Sequence, residues 1–384
     1  MIPYGRQEIT EADIEAVIQV LHSDFLTQGP VVPAFERAVA AYSGAAHAVA
    51  VNSATSALHI ACLALGLGPG DRLWTVPNTF VASANCGLYC GAVVDFVDID
   101  DDTWNISVPA LKAKLIQAKK DGALPKIVVP VHFSGQPTDQ EDIWELAREY
   151  GFKVIEDASH SIGASRGGVK VGSCRWSDIT VFSFHPVKIV TTGEGGMALT
   201  NNPELAVRME LFRSHGITRD AAKFTTPNAG AWHYELQALG FNYRMTDIQA
   251  ALGLSQMARL DAYVNTRNQI AARYTDSLAG LALQLPSIHS ENRSAFHLYV
   301  VRLSGPAESK RGEIFAAMRQ SGVGVNVHYM PVHLQPYYRK LGFKSGDFPV
   351  AERYATQAIT LPLYPQLTSA AQKQVVEALA QLLP

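Results

Sequence analysis

From about residue 47 to residue 200 the chain alternates short β-branched runs with helical stretches, and this alternation limits the possible fold more than any other feature. Runs suited to strands are Ala48–Val51, Arg72–Val76, Val93–Val97, Ile127–Phe133, Lys153–Ile155 and Ile179–Phe184, with helical stretches such as Ser56–Leu67 and Glu141–Tyr150 between them. Such alternation predicts an α/β layer built on a mostly parallel sheet. The runs are apolar on both faces, as strands covered by helices on each side have to be. Met245–Leu281 reads as one long helix. Beyond it a smaller α+β unit is expected, with a strand at His297–Leu303, a helix at Lys310–Ser321 and a closing helix at Ser369–Leu383. The N-terminal stretch is helical around Glu11–Ser23 and is broken at T-Q-G-P, Thr27–Pro30. A length of 384 residues supports two units. The junction is expected within 250–285, separating a large unit, 1–255, from a small C-terminal one, 256–384.

Composition narrows the function classes. Hydrophobic residues make up 47% and charged residues 17%, which excludes disorder. With 32 basic and 35 acidic residues the net charge is −3, so no field draws the chain onto nucleic acid or anionic lipid. No apolar run reaches the roughly 18 residues of a membrane span. The start, M-I-P-Y-G-R-Q-E-I-T, has no basic segment followed by an apolar one. A cytoplasmic protein with neither nucleic-acid nor membrane partner is expected. Four cysteines do not make a disulfide framework. Cys86 and Cys90 would share a helix face, but no second Cys or His pair lies nearby, so packing is favoured and no metal is expected.

Three segments carry candidate chemistry. N-S-A-T-S-A-L-H, residues 52–59, follows a strand and opens a helix. That turn aims backbone N–H groups and the positive helix end at an anion, although an ordinary Ser or Thr cap has the same composition. In V-I-E-D-A-S-H, residues 154–160, Asp157 falls at the end of an apolar strand, where open α/β sheets place ligand groups, and His160 follows three positions later. The plain alternative for Asp157 is a helix cap. In F-S-F-H-P-V-K-I-V-T-T-G-E-G-G, residues 182–196, Lys188 lies in an apolar turn ahead of glycines. A desolvated lysine has a lowered pKa and can form a Schiff base, whereas a snorkelling surface lysine would do neither. Each segment is ambiguous alone. Together, a phosphate cradle, a strand-end carboxylate and an apolar lysine are the parts needed to hold pyridoxal 5′-phosphate.

These segments resemble those of the DegT/StrS sugar aminotransferase family, a branch of the fold-type I pyridoxal-phosphate enzymes. The likeness also takes in T-Q-G-P-V-V, P-N-T-F-V-A-S-A-N (77–85), F-V-D-I-D-D-D-T-W-N-I (96–106), G-F-N-Y-R-M-T-D-I-Q-A-A (240–251) and H-Y-M-P-V-H (328–333), and so runs over nearly the whole chain. The resemblance implies a mostly parallel mixed sheet flanked by helices with a smaller C-terminal α+β domain. It implies that Lys188 carries the cofactor and shuttles the proton, and that Asp157 keeps the pyridine nitrogen protonated. Phe80 would stack on the ring, and His160, where many relatives have Gln, would lie near the ring hydroxyl. Ala54, Thr55 and Ser183 would bind the phosphate. Asn242 would reach the cofactor phosphate of a neighbouring subunit, which makes a homodimer with shared sites.

Within the family the tightest resemblance is to enzymes that use L-glutamate to aminate C4 of a UDP-4-keto-6-deoxy-N-acetylhexosamine in pseudaminic acid biosynthesis. Enzymes acting on UDP-4-keto-arabinose share much of the pattern. Thr27, Gly29, Pro30, His328 and Tyr329 are the candidates for the nucleotide-sugar site, with His185 and Arg244 for its diphosphate. The cofactor would alternate between pyridoxal and pyridoxamine 5′-phosphate. Relatives that dehydrate sugars at C3 carry His where Lys188 stands. A cofactor-bound regulator without turnover would call for a DNA-binding appendage, and a nicotinamide enzyme for a glycine fingerprint; neither is visible.

Overall fold

A computed structural model describes all 384 residues. Its central sheet has seven strands, in the spatial order His47–Val51, Gly196–Thr200, Ile179–Ser183, Lys153–Asp157, Ile127–Val128, Arg72–Thr75 and Val93–Phe96. The five strands from Ile179–Ser183 to Val93–Phe96 are parallel. Gly196–Thr200 runs antiparallel to both of its neighbours, so the sheet is mixed. Every residue of Ile179–Ser183 and Gly196–Thr200 is buried, as helices on both faces require.

Helix Gln140–Tyr150 illustrates how the cover forms. Ile143, Leu146 and Ala147 make its buried stripe, and Gly151 ends it at φ 81°, the left-handed conformation that glycine adopts at no steric cost.

Two expected elements differ. The Ile127–Phe133 run is a regular strand only at Ile127–Val128, because Pro130 has no N–H to donate; Val131 still bridges Asp157 before Ser134, at φ 62°, turns the chain. Met245–Leu281 divides into Asp247–Met257 and Leu260–Leu278. No Gly or Pro marks the break. Arg259 leaves the helical conformation there, and its Nη2 sits 2.7 Å from both oxygens of the buried Asp13 carboxylate. A tertiary ion pair thus fixes a boundary that local pattern does not show.

A second, antiparallel sheet joins Leu283–Gln284, Tyr299–Leu303 and Ala358–Leu361. Ile270, Tyr274, Ile314, Met318, Val375 and Leu379 pack against it from helices Leu260–Leu278, Arg311–Gln320 and Ser369–Ala380. The stretch 332–358 behaves differently and enters the core of the large sheet. Phe96 meets Tyr338, Phe343 and Phe348 at ring distances of 5.6, 5.2 and 5.8 Å. Asp98 accepts the N–H groups of Val350 and Ala351, both at 3.0 Å, at the positive end of helix Pro349–Gln357. Burying each such aromatic contributes about 1.5–3 kcal/mol, so this stretch is firmly seated. It carries His328 and Tyr329 to the strand ends. The N-terminus arrives from the other side, with Ile2 bridged to Val323 and Tyr4 beyond it. No helix is long and apolar enough to cross a membrane.

Candidate active site

At the carboxyl ends of the parallel strands lies a cavity of about 730 Å³. Of the residues singled out from sequence, Ala54, Thr55, Phe80, Asp157, His160, Ser183, His185, Lys188, His328 and Tyr329 all line it. Crevices beyond strand carboxyl ends are where open α/β sheets bind ligands.

Asp157 closes the strand Lys153–Asp157 and is 5% exposed. Its Oδ2 accepts the Ser83 hydroxyl at 2.6 Å and its Oδ1 accepts the Ser159 N–H at 3.1 Å. Strand alternation sends the preceding Glu156 to the opposite face, where the Ser177 and Thr180 hydroxyls donate to it and His132 lies 3.4 Å away. Burial opposes ionisation of Glu156, but His132 and the hydroxyls outweigh it and hold its carboxyl below the ordinary value.

Lys188 follows the strand Ile179–Ser183 and its N–H donates to the His185 carbonyl at 2.9 Å. Burial pulls its amine down from 10.5 to about 8, against the opposing pull of the Asp157 charge. A neutral amine is therefore accessible near neutral pH. We expect an aldehyde probe to label Lys188 with a rate that rises with pH around a midpoint near 8. A midpoint near 10.5, measured by peptide mapping across pH, would show the amine to be solvated.

Three imidazoles surround this amine. Burial first, then the positive charge of Lys188, pushes His160, His297 and His328 below the ordinary histidine value, His328 to about 4. All three are neutral at pH 7. The tautomer of His160 follows from its partners. Its Nδ1 accepts the backbone N–H of Ser134 at 3.2 Å, so Nε2 carries the hydrogen and donates to the Tyr329 hydroxyl 3.1 Å away. The Tyr329 proton is then left free to donate elsewhere. Burial and the Asp157 charge push the Tyr329 phenol well above its ordinary value, so it stays protonated.

Another stretch of the cavity wall presents free helix-end amides, which suit an anion. Ser53 caps helix Ala54–Ala64, its Oγ accepting the Ser56 N–H at 3.1 Å. The first-turn amides of Ala54 and Thr55 have no acceptor within the helix, and Ser183 lies beside them in the wall. Gly196 allows this arrangement. A Cβ there would come within 2.5 Å of the Ala54 nitrogen. Phe80, 58% exposed, stands over the cavity just ahead of helix Ala82–Tyr89. His185 and Glu194 lie 4.0 Å apart in the cavity wall, both side chains about half exposed.

The remaining candidates lie outside this cavity. Arg244 bridges Val51 and Asn242 bridges Ser214, and Asn242 is exposed. Thr27 bridges Thr246, Gly29 donates to Asp247 at 2.7 Å, and Pro30 precedes helix Val31–Ser43. Asp247, missed in the sequence reading, explains why T-Q-G-P and M-T-D-I-Q occur in one chain. It is fully buried and accepts the N–H groups of Gly29, Val31 and Val32. Replacing Asp247 with Ala leaves three donors unpaired, Val32 buried and Gly29 and Val31 half-buried, and we expect a loss of about 3 kcal/mol in urea unfolding. A loss below about 1 kcal/mol would mean that the loop holds itself. Sequence reasoning also passed over Tyr4, His297, Ser83 and Ser159. Ser83 lay within P-N-T-F-V-A-S-A-N, yet nothing local points it at a carboxylate in residue 157.

A mixed α/β sheet with a buried lysine and a carboxylate at its strand ends has the architecture of the sugar aminotransferases. The chain belongs to the DegT/DnrJ/EryC1/StrS aminotransferase family, whose model matches residues 7–380. It is 39% identical to the spore coat polysaccharide biosynthesis protein SpsC of Bacillus subtilis, over 99% of this chain and 97% of that protein. It is 36% identical to the UDP-4-amino-4,6-dideoxy-N-acetyl-beta-L-altrosamine transaminase of Campylobacter jejuni, over 100% and 98% of the two chains. Among solved structures, Helicobacter pylori PseC, an aminotransferase of pseudaminic acid biosynthesis, superposes with a TM-score of 0.91 at 29% identity, covering 100% of this chain and 99% of that one.

Proposed function

We propose that the chain uses pyridoxal 5′-phosphate to move the amino group of L-glutamate to C4 of a UDP-4-keto-6-deoxy-N-acetylhexosamine, working as a homodimer. The observation that carries this reading is the Lys188 amine and the Asp157 carboxylate facing one cavity that ends in the open amides of Ala54 and Thr55. The donor set fits the cofactor. Ala54, Thr55 and Ser183 would hold its phosphate, Phe80 would cover one ring face, Asp157 would face the ring nitrogen, and His160 would lie near the ring hydroxyl. When bound, the cofactor supplies an aldehyde that amines condense with and a ring that takes up an electron pair.

The protein's own groups do the rest. Lys188 Nζ, half deprotonated near pH 8, takes the proton from the α-carbon of glutamate and returns one in the second half-reaction. The Asp157 carboxylate would face the ring nitrogen, where a negative charge favours a proton on the ring. The neutral rings of His160, His297 and His328 add no second cation that would hold Lys188 protonated or repel a charged ring.

A sugar nucleotide carries two phosphates, and the wall of the cavity contains no arginine. In this reading Arg244, Asn242 and the Thr27–Pro30 turn complete the cavity of a second copy, with His185 meeting the diphosphate at the mouth. The apolar side chains left exposed on one chain suit that association. Ile14, Ile18 and Leu21 share a face of helix Glu11–Leu21, and Trp232, Leu236 and Leu239 project from the 217–239 hairpin. The C4-amino sugar in the name of the Campylobacter jejuni relative supports the hexosamine class.

The test is spectroscopic and then preparative. Protein loaded with the cofactor should lose its yellow band on adding glutamate and regain it with the right 4-keto sugar. A panel of UDP-4-keto hexosamines and a UDP-4-keto pentose, read by mass spectrometry, assigns the acceptor. A spectrum that glutamate leaves unchanged sinks the transaminase reading, and amination of the pentose alone sinks the hexosamine assignment.

A further inference from the structure

Beneath Asp157 lies a pair of hydroxyls with no role in the scheme above. Ser83 is fully buried near the start of helix Ala82–Tyr89. A serine in a first helical turn usually bonds back to the carbonyl three or four residues earlier. The Phe80 carbonyl is available for that, but at 3.3 Å, while Asp157 Oδ2 lies at 2.6 Å. The shorter distance is that of a hydroxyl bonded to a carboxylate. A carboxylate has no hydrogen to give, so the single Ser83 proton goes to Asp157. The Ser83 oxygen is then left as an acceptor, and the buried Thr79 hydroxyl 2.7 Å away has to be its donor. The direction of the chain is fixed: Thr79 donates to Ser83, and Ser83 donates to Asp157.

We propose that Thr79 and Ser83 are positioning residues for Asp157, orienting its carboxylate and keeping it ionised against a protonated ring nitrogen. This rests on the function proposed above. Each carboxylate oxygen has one protein donor, Ser83 for Oδ2 and the Ser159 N–H for Oδ1, so the carboxylate plane is held at both ends. A donor stabilises the ionised form of an acid. In a carboxylate–heterocycle pair that moves the shared proton towards the ring, where it makes the ring a stronger electron acceptor. Helix Ala82–Tyr89 also follows directly on Phe80, so a single short segment would set both the stacking ring and the carboxylate beneath it. Other titratable groups face the pair. Lys188 and Tyr329 feel the Asp157 charge directly, and His160, His297 and His328 stand around Lys188. From below, the Cys86 thiol donates to the Ser83 carbonyl at 3.3 Å. Neither Thr79 nor Ser83 titrates in the working range, so a pH effect of replacing them reports on Asp157 and its partner.

The experiment compares Ser83→Ala, Thr79→Val and Thr79→Ser with the parent protein, both freed of and loaded with cofactor. A proton on the ring disfavours a second one at the Lys188 nitrogen. Weakening the ring proton therefore raises the pH at which the visible band of the loaded protein changes. For Ser83→Ala we expect that midpoint to rise by about 0.5 unit or more, and the cofactor dissociation constant to grow about three- to tenfold. Thr79→Val, isosteric and one bond further away, should give the same signs with smaller size, and Thr79→Ser should restore parent behaviour. A hydroxyl pair that only fills space would lower the melting temperature of the cofactor-free protein and leave the midpoint where it was. That result in either Ser83→Ala or Thr79→Val overturns the proposal. If Ser83→Ala does not fold, Thr79→Val decides. A parent protein whose band ignores glutamate overturns the transaminase reading instead, so the two failures are separable.

Discussion

Replacing Lys188 with Ala is expected to lower turnover by about 10⁴-fold or more, because one change removes both the covalent tether and the proton carrier. The cavity should survive. Lys188 lies in a turn beyond the sheet, and the groups that would hold the phosphate and ring come from elsewhere. Cofactor should therefore still bind, but without covalent attachment. Two measurements check this: steady-state rates, and borohydride reduction followed by peptide mapping. Parent protein should carry the label at residue 188 and the variant none. Turnover within tenfold of the parent would show that another amine does the work.

The second large effect is expected at Asp157. Asn has the same shape and keeps an oxygen for the Ser83 hydroxyl, but its NH2 then faces the Ser159 N–H, so Asp157→Asn removes the charge and one acceptor. We expect turnover to fall by about 10²–10³-fold, the scale found when a preorganised electrostatic partner of a reacting group is lost. A second consequence has a definite sign. The Asp157 charge is the one influence that raises the Lys188 pKa against burial, so in the variant the midpoint of aldehyde labelling should fall below 8. A midpoint that stays at 8 with turnover reduced would place the effect of Asp157 on the cofactor alone. Unchanged turnover would remove Asp157 from the chemistry.

The residues of the proposed chemistry were legible because each one ends a strong local pattern. Asp157 terminates an apolar strand, Lys188 follows another, and Ala54 and Thr55 open a helix directly after a third. What surrounds them was not legible, because it is set by contacts across long stretches of sequence. Ser83 reaches Asp157 across 74 positions and Asp247 holds Gly29 across 218. Neither Ser83 nor Asp247 differs by neighbourhood from a helix-cap residue. The same reason accounts for the break at Arg259, whose partner Asp13 is 246 positions away. The strand Gly196–Thr200 also escaped notice. It opens with a glycine, which reads as a strand breaker, and the reason for that glycine is the close approach of the Ala54 amide from another element.

The placement of Tyr4 and Tyr329 in the same cavity has a consequence for how the protein is made. On a ribosome the sheet, the lysine and the helix end that awaits an anion are all synthesised well before residue 329, and units generally fold in the order they emerge. Until the stretch 328–358 arrives and seats against Phe96, the nascent pocket lacks a wall, and the N-terminal Ile2 has no Val323 to join. In the proposed chemistry, capture of a reactive aldehyde by Lys188 in a complete pocket would therefore come late in biosynthesis, once the stretch that carries Tyr329 has been made.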